Sequence, residues 1–143
     1  MDKYFVANAV LSVFSKNYME LKNGLPIRPS EMGVLNIISA TDGPHTPVML
    51  ADMLRVSKPM VTAHINSLEN KGYVTKSPSP HDKRAYHVLP TDKAKALVEK
   101  AKADLKQKLD WLTEGLGQDD FDALVALADK ANKIIKLNNP EVQ

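Results

Sequence analysis

The stretch from Pro44 to Asp92 constrains the fold more than any other part of the chain, because turn-forming residues divide it into two short helices and a hairpin. Thr46-Pro47 opens the first helix, PVMLADML, and Arg55-Val56 supplies a tight turn. Ser57 opens the second helix, KPMVTAHINSLENK, which Gly72 closes. Tyr73 to Lys76 and Tyr86 to Val88 then read as strands, with Pro78-Ser79-Pro80-His81-Asp82-Lys83-Arg84 between them. Two helices across a tight turn, with a charged hairpin behind, form an arrangement suited to reading DNA.

Charge supports that reading through its distribution. The net charge is only +2. Residues 1–43 sum to zero, residues 96–143 to −2, and residues 44–95 to +4 with all four histidines. The positive charge therefore lies on the segment that would meet phosphates. The chain has no cysteine, which excludes disulfides, thiol catalysis and thiolate zinc sites. No apolar run approaches the roughly 20 residues of a membrane span, and the N-terminus carries no signal-peptide pattern, so no membrane partner and a cytoplasmic location are expected.

The remaining sequence reads as helices on either side, so the expected fold class is mainly α (α+β) in one chain of 143 residues. Residues 3–22 place Phe5, Ala9, Val10, Val13, Tyr18 and Leu21 near a helical period, and Asn23-Gly24-Leu25-Pro26 stops them. Pro29-Ser30-Glu31 starts a central helix through Met32, Val34, Leu35, Ile37 and Ile38, ended by Asp42-Gly43-Pro44. In the short helix, Val48, Ala51 and Leu54 are expected to face inward, and in the next Val61, Ile65 and Leu68 form one stripe. Thr91 caps a long helix through Leu97, Ala101, Leu105, Leu109 and Leu112, with Gly115 and Gly117 as its breakers. A last helix runs from Asp119-Asp120 through Phe121, Leu124, Leu127, Ala131, Ile134 and Ile135. The helices at 3–22 and 96–139 carry more apolar surface than a compact helix-turn-helix core can bury, so a homodimer held by them is expected.

With Val61, Ile65 and Leu68 inward, the helical period turns Pro59, Thr62, Ala63, Asn66 and Asn70 outward, and Lys58 sits at the open first turn. Asn66 suits a bidentate contact to adenine, Thr62 a base edge or phosphate, and Ala63 a thymine methyl. Ser57 and the free first-turn N–H groups suit a phosphate. On the hairpin, Lys83 and Arg84 suit the minor groove. Asp82 suits a bracing role, accepting hydrogen bonds from Arg84 or from backbone N–H groups.

These residues resemble the MarR family of winged helix-turn-helix transcriptional regulators. The resemblance rests on Leu50-Ala51-Asp52, on Ser57-Lys58-Pro59-Met60-Val61-Thr62, and on Leu68-Glu69-Asn70-Lys71-Gly72-Tyr73-Val74. The wing follows as Asp82-Lys83-Arg84-Ala85-Tyr86, and Thr91-Asp92-Lys93-Ala94 enters the next helix. Met60, Ala63 and Ala94 depart from the residues common in the family, and Pro90 interrupts the end of the wing strand. The resemblance implies a winged helix-turn-helix region at 29–90, dimerisation helices at 3–22 and 96–139, and a homodimer bound to a pseudo-palindromic double-stranded DNA operator, most often as a repressor. It also implies release by a small aromatic or amphipathic acid, held in a crevice between the first, second and fifth helices. Tyr18, Leu21, Leu35, Ile38 and Trp111 are the candidate ligand residues.

Two other classes of function fit the sequence less well. An enzyme needs a nucleophile, base or metal in position, and no glycine-rich phosphate loop, metal-spaced cluster or nucleophile motif joins His81 and Asp82; no cofactor is implied. A winged helix that binds protein or RNA without operator recognition would carry apolar or aromatic anchors where this chain has Thr62, Ala63 and Asn66.

Overall fold

The computed structural model describes residues 1–20 and 24–139. The order is α1 (Lys3–Met19), α2 (Pro29–Ala40), α3 (Pro47–Leu54), α4 (Lys58–Asn70), β1 (Val74–Pro78), β2 (Tyr86–Pro90), α5 (Asp92–Leu116) and α6 (Gln118–Asn138).

Local chemistry sets most of these boundaries. The Asp2 carboxylate accepts from Tyr4 N–H at 2.9 Å at the start of α1. Thr46 and Ser57 each accept from the third residue of the following helix, Met49 and Met60, at 3.3 Å. Thr91 does the same for Ala94. Each satisfies a donor that the first helical turn leaves without a partner. Between α3 and α4 the chain reverses at Arg55, whose backbone is left-handed at φ 56°.

α2, α3, α4, the hairpin and the first turns of α5 enclose one core. Val34, Leu35, Leu50, Val61, Ile65, Leu68, Val74 and Val88 have essentially no exposed surface. Ala94 and Val98 complete it, with Leu97 and Ala101 packed alongside. The segment expected to dimerise from residue 96 thus begins inside this core, and α5 projects from it only beyond Ala101.

The hairpin is antiparallel, pairing Val74 with Pro90 through to Pro78 with Tyr86. Pro90 therefore closes β2 instead of interrupting it, because the bond at that level is donated by Thr91 N–H to Tyr73 O at 3.0 Å. On the other side of β2, Val88 N–H donates to His45 O at 2.8 Å. His45 is buried, and its Nε2 meets Thr41 Oγ1 at 2.8 Å. Thr41 gives its one hydroxyl proton to Ile37 O, so His45 Nε2 is the donor in that contact. Within α3 the inward residues are Pro47, Leu50 and Ala51, whereas Val48 is 52% exposed. An eight-residue helix this rich in apolar residues does not fix its own phase; the contact with α2 and α4 does.

α1 and α6 bury none of their residues, and α5 buries only Ala94 and Val98. Phe5, Val10, Leu11, Val13, Leu127, Ile134 and Ile135 all stand exposed. The accessible surface is 10350 Å², whereas a compact monomer of 15.8 kDa exposes about 7300 Å². α5 runs through Gly115 without a break and ends at Gly117, whose φ of 83° starts the turn into α6. Among the described residues, no helix is long and apolar enough to cross a membrane.

Candidate nucleic-acid interface

α4 lies across the core on Val61, Ile65 and Leu68, and so presents a fixed opposite face. On that face Pro59, Ala63 and Asn66 are exposed and Thr62 is half-buried. Ser57 and Lys58 are exposed at the N-terminal end, where first-turn N–H groups point outward. Ser57 Oγ already serves Met60 N–H, so what it leaves to an incoming anion is its hydroxyl proton.

One buried carboxylate fixes the angle of this helix. Glu31 is fully buried at the start of α2, and its Oε1 accepts from Arg28 N–H at 2.9 Å and from Lys71 Nζ at 3.0 Å. Lys71 caps the far end of α4. Burial by itself would raise the Glu31 carboxyl, but the Ser67 hydroxyl, the Arg28 N–H and the Lys71 ammonium together hold it down at about 2. Oε2 has no hydrogen-bond partner among the described residues. The node clamps α4 to α2 from opposite ends of the sequence pattern. The Pro-Ser-Glu start carried a signal for Glu31, since a glutamate three residues into a helix returns to its first N–H. Nothing in the sequence pointed to Lys71 as its partner.

The wing tip is shaped by its own backbone. Asp82 Oδ1 accepts from Arg84 N–H at 2.9 Å, and Asp82 O accepts from Ala85 N–H at 3.1 Å. Ser79 N–H then donates to Ala85 O across the base of the loop. Lys83 and Arg84 are exposed, and among the described residues neither pairs with a carboxylate. Below the tip, Lys76 on β1 reaches Asn66 Oδ1 at 2.6 Å, a link between wing and α4 that the sequence did not indicate.

The ligand candidates do not all meet. Tyr18 and Trp111 line a cavity of about 360 Å³ together with Phe14, Asn17, Lys108 and Leu112. Leu35 has no exposed surface and Ile38 only 6%, so both belong to the core beneath α4 and neither lines that cavity. Leu21 lies outside the described residues. Lys108 brings a positive charge to this cavity, and its Nζ donates to Tyr18 O at 3.0 Å. Among the described residues, no three His, Asp or Glu side chains gather as a metal site.

The sequence model of the MarR family matches residues 24–85, the span from the turn before α2 to the wing. An uncharacterized HTH-type transcriptional regulator of Mycobacterium leprae is 31% identical over 112 residues, covering 78% of this chain and 76% of that one. Among solved structures, a mutant MarR from E. coli complexed with operator DNA is 30% identical, with a TM-score of 0.58 over 74% of this chain and 76% of that chain. The transcriptional repressor CouR bound to a 23-mer DNA duplex is 27% identical, with a TM-score of 0.67 over 92% of both chains.

Proposed function

This chain belongs to the MarR family, and from that membership we propose that it is a homodimeric repressor of transcription that binds a pseudo-palindromic operator in the cytoplasm and leaves it when a small acid binds. The observation that carries the proposal is the rigid outward face of α4 beside a wing whose tip residues Lys83 and Arg84 have no carboxylate partner among the described residues. In this reading the first turn of α4, with Ser57, Lys58 and Pro59, takes a phosphate. Thr62, Ala63 and Asn66 meet base edges in the major groove, while Lys83 and Arg84, shaped by Asp82, follow the minor groove.

The uncovered faces of α1, distal α5 and α6 support the dimer. The surface excess over a compact monomer is about 3000 Å² per chain, so about 6000 Å² for two, at the upper end of what obligate partners bury. Two copies set their recognition helices on successive major grooves about 34 Å apart, so a ligand that favours another spacing must weaken DNA binding. The cavity at Phe14, Tyr18 and Trp111 has the size of a small-molecule site, and Lys108 keeps donors free for a carboxylate.

The test is selection of duplexes from a random pool, followed by titration of the selected duplex with and without aromatic carboxylic acids. Enrichment of an inverted repeat, with release by an acid that no longer acts on Lys108→Met, is the expected result. A pool with no enriched sequence overturns the DNA-reading function. Release that is unchanged in Lys108→Met overturns the ligand site alone.

A further inference from the structure

Among the described residues, Arg55 is the one position other than glycine with a left-handed backbone, at φ 56°. A Cβ makes that conformation unfavourable, whereas glycine adopts it freely. The turn itself does not need the arginine side chain. Backbone bonds close it, from Arg55 N–H to Asp52 O at 3.3 Å and from Val56 N–H to Ala51 O at 3.1 Å. Leu54 and Val56 pack against the core on either side, and Arg55 stands exposed between them. Asp52 is also exposed and only three residues away, yet among the described residues Arg55 pairs with no carboxylate.

A strained residue held in place by its surroundings points to a task for its side chain. Its position says which. Two peptide links put the Arg55 Cα within about 7 Å of the Cα of Ser57, the cap of α4. In a helix-turn-helix the recognition helix enters the major groove by its N-terminal end, and the helix before it crosses the DNA backbone. The turn between the two therefore lies at the edge of the groove, where phosphates are nearer than base edges. A guanidinium is always charged, and its fork matches a phosphate with two parallel N–H bonds. We propose that Arg55 is a further DNA-binding residue, which clamps a backbone phosphate at the groove's edge from the turn between α3 and α4. The proposal rests on the DNA-reading function above and extends that interface from α4 and the wing to the turn. It sets stability and affinity against each other at one residue, since the left-handed backbone weakens the free protein and the phosphate contact strengthens the complex.

The experiment compares the wild type with Arg55→Gly, Arg55→Asn and Arg55→Lys on two duplexes, one selected by the wild type from a random pool and one scrambled. Urea midpoints are measured on each protein. Glycine and asparagine both accept the left-handed turn, and both lack the charge. Each should weaken binding to the two duplexes alike, by about tenfold per half-site at low salt. Each should also make the fall of log affinity with log salt shallower by about one unit per half-site. The urea midpoint of Arg55→Gly should stay level or rise, and Arg55→Lys should keep the wild-type salt slope. In a scan that replaces one phosphate at a time by a neutral methylphosphonate, the wild type should lose affinity at one position per half-site where Arg55→Gly loses none. Wild-type affinity and salt slope in both the glycine and the asparagine variants overturn the proposal. So does a weakening in Arg55→Gly that Arg55→Asn does not share, because it belongs to a loosened turn. A scan in which the two proteins lose affinity at the same positions overturns it as well; all three results leave the DNA-reading function standing. A pool with no enriched sequence removes that function and the proposal with it.

Discussion

The two halves of this molecule handle their apolar residues in opposite ways. From α2 to the first turns of α5, every large aliphatic stripe meets another within the same chain, and the core excludes water around Leu35, Leu50, Ile65 and Leu68. α1 and α6 also carry large apolar residues, Phe5, Val10 and Leu11 in one and Leu127, Ile134 and Ile135 in the other, yet no residue of either is buried. The first region is complete as a single copy and holds its outward face steady. The second has its burial still to make. The difference separates what one chain can do alone, which is to shape a surface that reads one half-site, from what needs two chains, which is to space two such surfaces.

The sharpest way to break this contrast is to place a charge on the uncovered face. Ile134 is 51% exposed in the single chain. If that exposure were final, Ile134→Asp would change stability by no more than about 0.5 kcal/mol. We predict instead that the substitution abolishes the dimer at micromolar concentration in sedimentation, and with it all tight operator binding. A dimer that persists would show that α6 faces water and that the contrast is false.

Next in size is the clamp inside the complete region. Glu31 is held at about 2, below its ordinary 4.5. A depressed carboxyl contributes stability that is fully present above about pH 4.5 and is lost as pH falls through that value toward 2. The contribution is about 3 kcal/mol for a fully buried group. Urea midpoints measured from pH 6 to pH 2.5 should fall steeply in the wild type and less in Glu31→Gln. Identical slopes for the two proteins would place the acid sensitivity elsewhere.

A third effect concerns the surface the complete region presents. Arg84→Ala should weaken cognate duplex binding by about 1–3 kcal/mol per half-site, with the circular dichroism spectrum unchanged. Asp82→Ala should also weaken binding, despite removing a negative charge near DNA, because Arg84 N–H and the tip lose their acceptor. Titration at fixed salt decides both, and tighter binding by Asp82→Ala would end the bracing role. Smallest is the turn between α3 and α4. Arg55 holds a left-handed conformation that glycine adopts without cost, so Arg55→Gly should raise stability by up to about 1 kcal/mol in urea. A loss of stability would mean that the Arg55 side chain makes a contribution its exposed position does not suggest.

What was legible in the sequence is what is decided within a few residues. The caps at Thr46, Ser57 and Thr91, the inward stripe of α4 and the tip geometry at Asp82 all depend on neighbours at most four positions away. Contacts set by the assembled fold were not legible. Glu31 meets Lys71 across forty residues, and Lys108 meets Tyr18 across ninety. Leu35 and Ile38 were plausible ligand contacts by helix membership, but only the packing of α2 under α4 decides which side of α2 is closed. In α3 the inward set holds at Ala51 and Leu54 and fails at Val48 for a related reason, since Val48 and Leu50 are both strongly apolar and the choice between them belongs to the neighbours.

The unbroken run of α5 has a mechanical consequence. Its root is locked twice, by Ala94 and Val98 in the core and by the Thr91 hydroxyl, which donates to Gly72 O at 2.7 Å beside the wing. Its 25 residues span about 37 Å as one unbroken helix. Trp111 stands about 25 Å along this rod from Ala94. A wedge of about 2 Å at the Trp111 cavity therefore turns the rod by about 5° about its root, and the lobe on its end must turn with it. The helix works as a stiff beam that converts a displacement the size of one methyl group into a change of aim for everything anchored at its base.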